Sequence, residues 1–388
     1  MRFIVFGGWF GSRNLGDDAI LIGLRRVMER TFPDAELVAL STDVSYTRRV
    51  CGVEAIDLMS ARGLFRRGDA SLPAYLQAFM DADACIVSGG TPIYDYGHLS
   101  RSFHFGLPRI TGTPLICFGV GVKSIESMMG ASSVRMLLRG ARLVSTRDAL
   151  SRDELVRLGV CGQISVTGDS GLFLKSAERE DALRLLTESG ADTSRPMTAI
   201  CPRFLSTLYR RHYHDPLSSF EVSRIRRGVA EVADHLLRRG FEVIFLPFHR
   251  GPVDDDLAEI GTIVSLMHGS APKIVKRYLL PSEAMSVLGC MEMVFGLRLH
   301  SLIFAASLGV PVVGVNYDSK IRGFMELAGA WKCLCEISGE PKSWVEVVDA
   351  VLDDGGVMGR VVSRSCGEMK ARILDEAGKM RDLLKAGY

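Results

Sequence analysis

The sequence contains no apolar run close to the ~20 residues that a membrane-spanning helix needs. It also has almost no excess of either charge, because 47 Lys and Arg residues are balanced by 45 Asp and Glu residues and the formal net charge is +2. The N-terminal stretch lacks the apolar core and the cleavage site of a signal peptide. We therefore expect a cytoplasmic protein that binds no nucleic acid and whose anion-binding sites are local. Peripheral membrane association and oligomerisation are left open.

Motifs for common cofactors and metals are missing as well. The glycines after the first apolar segment lack the spacing of a dinucleotide fingerprint, and the Gly-Lys-Ser/Thr of a P-loop does not follow them. The nine cysteines are an odd number, and most lie in apolar segments, which favours reduced core residues over disulfides. Cys333 and Cys335 lie close together but have no second ligand pair at zinc-finger spacing. We expect no metal site and no cofactor.

What the sequence does contain is a repeated alternation of short apolar segments with amphipathic helical ones. The 388 residues, 47% of them hydrophobic, are enough for two cores. Alternation of this kind is typical of parallel sheets, and the more polar stretch 176–196 separates two such series. We predict an α/β protein with two Rossmann-like domains facing across a cleft. The domains span residues 1–180 and 195–345, and helices in 346–388 could pack back on the first domain.

The strongest candidate site residues are Arg298 and His300, which lie where an apolar strand gives way to a helix. Parallel sheets bind ligands at the carboxyl ends of their strands, where helix N-termini favour anions. An arginine can hold a carboxylate or phosphate through two hydrogen bonds, and a histidine can transfer a proton near neutral pH. The pair suits an anionic substrate undergoing acid–base chemistry. The alternative is an ion-pair arginine beside a core histidine.

The loop after the first strand, GGWFGSRNLGDDAIL, supplies the next candidates. Asn14, Gly16 and Asp17 lie before or within the first turn of a predicted helix, where we expect them to line the cleft, because glycines allow close backbone approach and a helix N-terminus suits an anion or a polar ligand. The alternative is that Asn14, Asp17 and Asp18 merely cap that helix.

A second glycine pair, Gly89 and Gly90, follows the strand ACIVS and is expected to line the cleft. His98 and His104 are weaker candidates nearby, because a lone histidine in a loop is more often structural.

Arg147 lies one residue beyond the strand RLVST. If Asp148 caps the following helix, Arg147 is left to point into the cleft. The alternative is a surface ion pair with Asp153, worth under ~1 kcal/mol.

His249 lies close to the end of a later strand and is a further cleft candidate. The three aspartates at 254–256 either form a solvated helix N-terminus or include a partner for His249.

Taken together, these motifs resemble the polysaccharide pyruvyl transferase family. The resemblance runs in order from about residue 5 to about residue 325 and rests on NLGDDAIL, SGG, TRDALS, VTGDS, PFH and GLRLHSLIFAASLGVP. It implies a fold similar to the GT-B glycosyltransferases. It also implies transfer of the pyruvyl group of phosphoenolpyruvate onto two hydroxyls of a sugar, giving a ketal and phosphate. The implied acceptor is a nucleotide- or lipid-linked sugar of cell-wall or exopolysaccharide synthesis.

The resemblance also assigns roles to particular residues. Arg147, Arg298 and Leu299 would bind phosphoenolpyruvate, and His300 would be the general acid. The competing hypothesis is a sugar-nucleotide-dependent glycosyltransferase of GT-B type, in which Arg298 would bind a diphosphate and Glu326 the donor ribose. An arginine and a histidine two residues apart fit the small, doubly charged phosphoenolpyruvate better.

Overall fold

A computed structural model describes residues 1–58, 72–95, 98–205, 217–251 and 255–386. The chain divides into two compact units. Unit 1 comprises Met1–Ser12, Asp17–Phe173 and Met369–Tyr388, and unit 2 comprises Arg13–Gly16 and Leu174–Glu368.

Unit 1 is built on one sheet with helices between its strands. In chain order its elements are β1 (Arg2–Gly7), α1 (Leu15–Thr31, whose first two residues belong to unit 2), β2 (Glu36–Ser41), α2 (Val44–Cys51), β3 (Glu54–Asp57), α3 (Leu72–Met80), β4 (Ala84–Ser88), α4 (His98–Thr111), β5 (Leu115–Val120), α5 (Met128–Leu138), β6 (Ala141–Thr146), α6 (Ala149–Arg157) and β7 (Ile164–Val166). The strand order is β3-β2-β1-β4-β5-β6-β7, and every neighbouring pair is parallel.

Unit 2 repeats this plan. Its elements are α7 (Arg179–Glu188), β8 (Met197–Cys201), α8 (Ser219–Arg238), β9 (Glu242–Phe245), α9 (Asp256–Val264), β10 (Lys273–Ile274), α10 (Pro281–Leu288), β11 (Met293–Gly296), α11 (Leu299–Ser307), β12 (Val312–Asn316), α12 (Ser319–Leu327), β13 (Leu334–Glu336), α13 (Pro341–Leu352) and α14 (Val357–Lys385). The order β10-β9-β8-β11-β12-β13 is again all parallel. From Met369 onwards α14 belongs to unit 1.

The central strands carry almost continuous apolar sequence. Every residue of β4, β8, β9 and β11 is buried. Strands of a parallel sheet are covered by helices on both faces, so apolar residues are needed at successive positions rather than at alternate ones. The predicted α/β class with two Rossmann-like sheets is confirmed.

In each sheet the strand order reverses once, between β1 and β4 in unit 1 and between β8 and β11 in unit 2. Chain crossovers leave in opposite directions at such a point, which opens a crevice at the carboxyl ends of the two strands. The loops that follow these four strands are therefore where a ligand site is expected.

Candidate active site

Arg298 follows β11 and occupies the N-cap position of α11. Its guanidinium makes a two-point contact with the carboxylate of Asp256, with 2.9 Å from Nε to Oδ2 and 2.5 Å from Nη2 to Oδ1. The Asp256 side chain is 0% exposed and that of Arg298 is 11% exposed. A paired contact of this kind fixes the plane of the guanidinium as well as its position.

Asp256 is held in turn by the backbone. Its Oδ1 accepts the N–H of Phe204 at 2.9 Å, and its Oδ2 accepts those of Phe248 and His249 at 3.0 and 2.9 Å. These bonds satisfy a carboxylate that has no access to water. The prediction of a solvated aspartate run is therefore wrong for Asp256, whereas Asp255 does cap α9 by accepting the N–H of Leu257.

His300 lies in the first turn of α11, two residues after Arg298. One side of its ring meets Phe304 edge-on, with 6.1 Å between the ring centroids. On another side lies Gly16, where an added Cβ atom would be only 2.1 Å from His300 Nδ1. Gly16 therefore makes room for the imidazole, a function that loop composition alone did not predict.

Asn14 joins the same cluster through the start of α1. Its Oδ1 accepts the N–H of Gly16 at 3.1 Å, which confirms the capping role predicted as the alternative for Asn14. Its backbone pairs with that of His249, and the N–H of Leu15 donates to the carbonyl of Phe248 at 3.1 Å. Unit 2 thus brings together six of the predicted site residues: Asn14, Gly16, His249, Arg298, Leu299 and His300.

Two further polar residues at this edge escaped the sequence reasoning. Arg203 follows β8, and its Nη1 lies 3.0 Å from the hydroxyl of Tyr317, which follows β12. The Tyr317 hydroxyl donates to the carbonyl of Leu297 at 2.7 Å, and Asp318 lies 3.6 Å from Arg203. Only its position in the sequence could have indicated Arg203, because Arg203 and Arg298 follow the two strands on either side of the strand-order reversal in unit 2.

Arg147, after β6 in unit 1, is only 4% exposed. Its guanidinium contacts Asp148 at 3.4 Å and Asp169 at 3.6 Å, and its Nη1 donates to the carbonyl of Gly90 at 3.2 Å. Asp148 caps α6 as predicted, accepting the N–H of Ser151. The alternative ion pair with Asp153 is wrong, because the carboxylate of Asp153 lies 2.7 Å from Arg152.

The glycine pair after β4 lies against the loop after β1. A Cβ atom on Gly89, whose φ is +110°, would lie 2.5 Å from the Cα of Gly8. A Cβ atom on Gly90 would lie 3.0 Å from Oδ1 of the buried Asp17. Unit 1 therefore groups the other four predicted site residues: Asp17, Gly89, Gly90 and Arg147.

Asp18, next to Asp17 on α1, is fully buried and accepts a hydrogen bond from the hydroxyl of Tyr46 at 2.7 Å. Burial raises its pKa to about 7, with a smaller contribution from the charge of Asp17. A carboxyl group with such a pKa exchanges its proton near neutral pH.

His98 and His104 are the two weaker histidine candidates. His104 lies on α4 and is buried among the rings of Phe6, Tyr75 and Phe103, at centroid distances of 5.1 to 6.5 Å. The expectation that it lines a cleft is therefore wrong, and it is a core residue. The side chain of His98 lies outside the described part of the structure.

In the described ranges no helix has the length and apolarity required to cross a bilayer.

The two Rossmann-like sheets place the chain among GT-B-like proteins. Solved structures that it resembles include Anabaena Alr3699/HepE in complex with UDP, with a TM-score of 0.60, 14% identity and 99% of both chains covered. The UDP-GlcNAc 2-epimerase of Neisseria meningitidis bound to UDP-GlcNAc gives a TM-score of 0.57 at 12% identity, with 100% of both chains covered. At such identities the likeness concerns the fold.

The family follows from the sequence match. The model of the polysaccharide pyruvyl transferase family matches residues 14–319, and the chain belongs to that family. The amylovoran biosynthesis protein AmsJ of Erwinia amylovora is 22% identical over 318 residues, which cover 78% of this chain and 74% of AmsJ.

Proposed function

We propose that the protein transfers the pyruvyl group of phosphoenolpyruvate onto two hydroxyls of a sugar, forming a pyruvate ketal and phosphate. The acceptor we propose is a nucleotide- or lipid-linked glycan precursor or a polysaccharide. Family membership supports the reaction class. The observation that carries the proposal is the pairing of Arg298, oriented by a buried carboxylate, with His300 in the first turn of the same helix.

Phosphoenolpyruvate carries a carboxylate and a phosphate, so its binding requires several positive groups. Arg298 supplies a guanidinium whose plane is fixed by Asp256. The N-terminus of α11, which begins at Leu299, adds the positive end of the helix dipole.

The first chemical step that we propose is addition across the double bond. Protonated His300 delivers its proton to the methylene carbon, which becomes a methyl group, while a sugar hydroxyl attacks the adjacent carbon. The product is a tetrahedral adduct that still carries the carboxylate and the phosphate.

In the second step the phosphate leaves with the electrons of its C–O bond, and a second hydroxyl attacks the same carbon to close the ketal ring. Two hydroxyl protons are lost overall, so one replaces the proton that His300 gave and the other leaves with the phosphate. Arg298 and the N-terminus of α11 supply the stabilisation of negative charge that both steps require.

Calorimetric titration with phosphoenolpyruvate tests the binding part of the proposal. Arg298→Ala is expected to abolish the binding seen with wild type. Because that variant leaves the carboxylate of Asp256 buried without its guanidinium, the double variant Asp256→Asn/Arg298→Ala should be titrated beside it. Arg322→Ala, which removes an exposed arginine paired with Glu326, is the matched control and should bind normally.

Turnover is tested by phosphate release with a panel of nucleotide- and lipid-linked sugars. His300→Gln should retain phosphoenolpyruvate binding and lose about 10²- to 10⁴-fold in kcat, the usual range for one general acid. If wild type binds no phosphoenolpyruvate, with or without acceptors, and instead binds one nucleotide sugar tightly, the proposal is wrong and a glycosyltransferase takes its place.

A further inference from the structure

A broad groove lies at the opposite edge of the unit 1 sheet from Gly89 and Gly90. Its volume is about 1220 Å³, and it is lined by the end of α4, the end of α5 and the residues that lead into β5 and β6. All its lining residues fall between Phe105 and Cys161, within unit 1. Arg147 is not among these lining residues, and Arg298 and His300 belong to unit 2, so the groove is separate from the residues named for the proposed reaction.

The charge of this groove is of one sign. Four exposed arginines line it, and the described lining residues include no aspartate or glutamate. Arg135 donates hydrogen bonds to the carbonyl of Leu158 and the hydroxyl of Ser132, which are both uncharged. In a chain whose formal net charge is only +2, this is a concentrated positive surface. The four are Arg109, Arg135, Arg139 and Arg142.

Large apolar side chains are exposed in and near the groove. Ile110, next to Arg109 on α4, is 76% exposed, and Met136, next to Arg135 on α5, is 54% exposed. Met128 and Met129, about two turns before Arg135 at the start of α5, are 87% and 70% exposed. Met128, Arg135 and Arg139 follow the i, i+7, i+11 spacing that places residues on one side of a helix. One side of α5 therefore presents methionines followed by arginines.

We propose that this basic groove, with the exposed apolar side chains of α4 and α5, is the surface by which unit 1 docks on an anionic lipid bilayer. The arginines would bind lipid phosphates while Ile110 and the methionines enter the boundary between headgroups and acyl chains. Arginine suits this place because it contacts phosphate through two hydrogen bonds while its methylene groups lie on apolar surface.

A second copy of the chain fits the surface less well. In a two-fold symmetric pair a patch meets itself, so the four arginines would face four more, and no carboxylate is among the described lining residues. A bilayer with anionic headgroups complements both the charge and the exposed methionines. Docking of this kind does not depend on the proposed reaction and can be measured without any substrate.

Vesicle co-sedimentation of the full chain tests the proposal. Wild type should bind vesicles of phosphatidylcholine mixed with phosphatidylglycerol and should bind pure phosphatidylcholine much less. A surface arginine contributes roughly a fivefold gain in partitioning, so Arg135→Glu/Arg139→Glu should weaken binding by at least ~25-fold. Ile110→Ser/Met136→Ser should weaken it with no change in charge.

The matched control is Arg364→Glu/Arg372→Glu, which makes the same charge change at exposed positions of α14 and should bind like wild type. If the control loses as much vesicle binding as the groove variant, or if the groove variant loses none, the groove is not the bilayer-docking surface. Full displacement by soluble glycerol phosphate would show a small-molecule phosphate site instead. Sedimentation velocity that shows a dimer lost only in the groove variants would assign the surface to self-association.

Discussion

The imidazole of His300 occupies the space that any side chain at position 16 would need. An added Cβ atom at Gly16 would lie 2.1 Å from Nδ1 and 2.7 Å from Cγ of the ring. The residue proposed to move the proton is therefore positioned by a glycine far from it in sequence. A single methyl group at position 16 should displace it.

Gly16→Ala is expected to impair the reaction about as severely as loss of His300 itself. The φ of Gly16 is not in the left-handed region, so the backbone tolerates alanine and the defect is the clash with the ring. Phosphate-release kinetics measure the effect. Gly367→Ala, a helical glycine of unit 2 with open space around its Cβ position, should keep full activity.

A double-mutant cycle checks the cause. In a His300→Ala background the clash is gone, so adding Gly16→Ala should change the free energy of unfolding by under ~1 kcal/mol. An equally large loss of stability in both backgrounds would mean that something other than His300 excludes a side chain at position 16.

Asp256→Asn should weaken the binding of phosphoenolpyruvate although Asp256 is buried away from it. The amide keeps one acceptor oxygen, so its NH2 group faces at least one backbone N–H that the carboxylate accepted, and it no longer balances the guanidinium of Arg298. Breaking a buried ion pair costs about 3–5 kcal/mol of stability. Because Arg298 is partly exposed, we expect the free energy of unfolding to fall by an amount near the lower value. Urea unfolding and KM are the two measurements.

Glu368→Gln, which removes the exposed ion pair with Arg364, is the control for Asp256→Asn. It should change stability by less than ~1 kcal/mol and leave KM unaltered. The orienting role of Asp256 would be disproved by an Asp256→Asn protein whose KM equals that of wild type.

Tyr317→Phe should affect the same site from the opposite side. It removes the hydroxyl that donates to the carbonyl of Leu297 and accepts from Arg203. Loss of a buried hydrogen bond typically costs about 1 kcal/mol, and the carbonyl concerned immediately precedes Arg298. We expect a small fall in the urea midpoint together with a raised KM for phosphoenolpyruvate, and an unchanged KM would confine Tyr317 to a structural role.

The contribution of Asp18 to stability should fall as the pH rises from about 4 to about 7. Burial raises the pKa of this carboxyl group from 3.8 to about 7, so within that range the folded protein holds a proton that the unfolded chain has released. Unfolding then releases a proton, and the free energy of unfolding decreases with pH until it levels off above 7.

Asp18→Asn removes this proton and should flatten the pH profile. Between pH 4 and pH 8 the free energy of unfolding of wild type is expected to fall by at most about 4 kcal/mol more than that of Asp18→Asn. Urea midpoints across that range measure it. Tyr46→Phe, which removes the hydrogen bond to the carboxylate, should move the decline to higher pH, and identical slopes in wild type and Asp18→Asn would contradict the assignment.

The strands of the central sheets were predictable because burial on both faces leaves a continuous apolar signature, as in ACIVS and MVFG. The short elements α2 and β3 leave a much weaker signal in the sequence. The sequence of α2, VSYTRRVC, buries only three residues, too few for a clear helical period. The helix α4 was missed, and so His104 was placed in a loop rather than in the core.

Arg298 and His300 could be found because their chemistry and their position after a strand agree. Asp256 was not identified as the partner of Arg298 because sequence order does not show which turns of a parallel sheet meet. The run of three aspartates gave no sign that its last member is fully buried while Asp255 caps a helix. Contacts of this kind depend on the three-dimensional neighbourhood of adjacent strands.

The division of α14 between the units has a consequence for synthesis on the ribosome. The segment from Met369 that completes unit 1 is translated after every residue of unit 2, and it covers Gly168, where a Cβ atom would lie 3.0 Å from that of Met369. During synthesis, the surface of unit 1 around Gly168 therefore stays uncovered until all of unit 2 has been translated. A nascent chain halted before residue 369 should consequently remain sensitive to protease in unit 1, and should lose that sensitivity once the helix is complete.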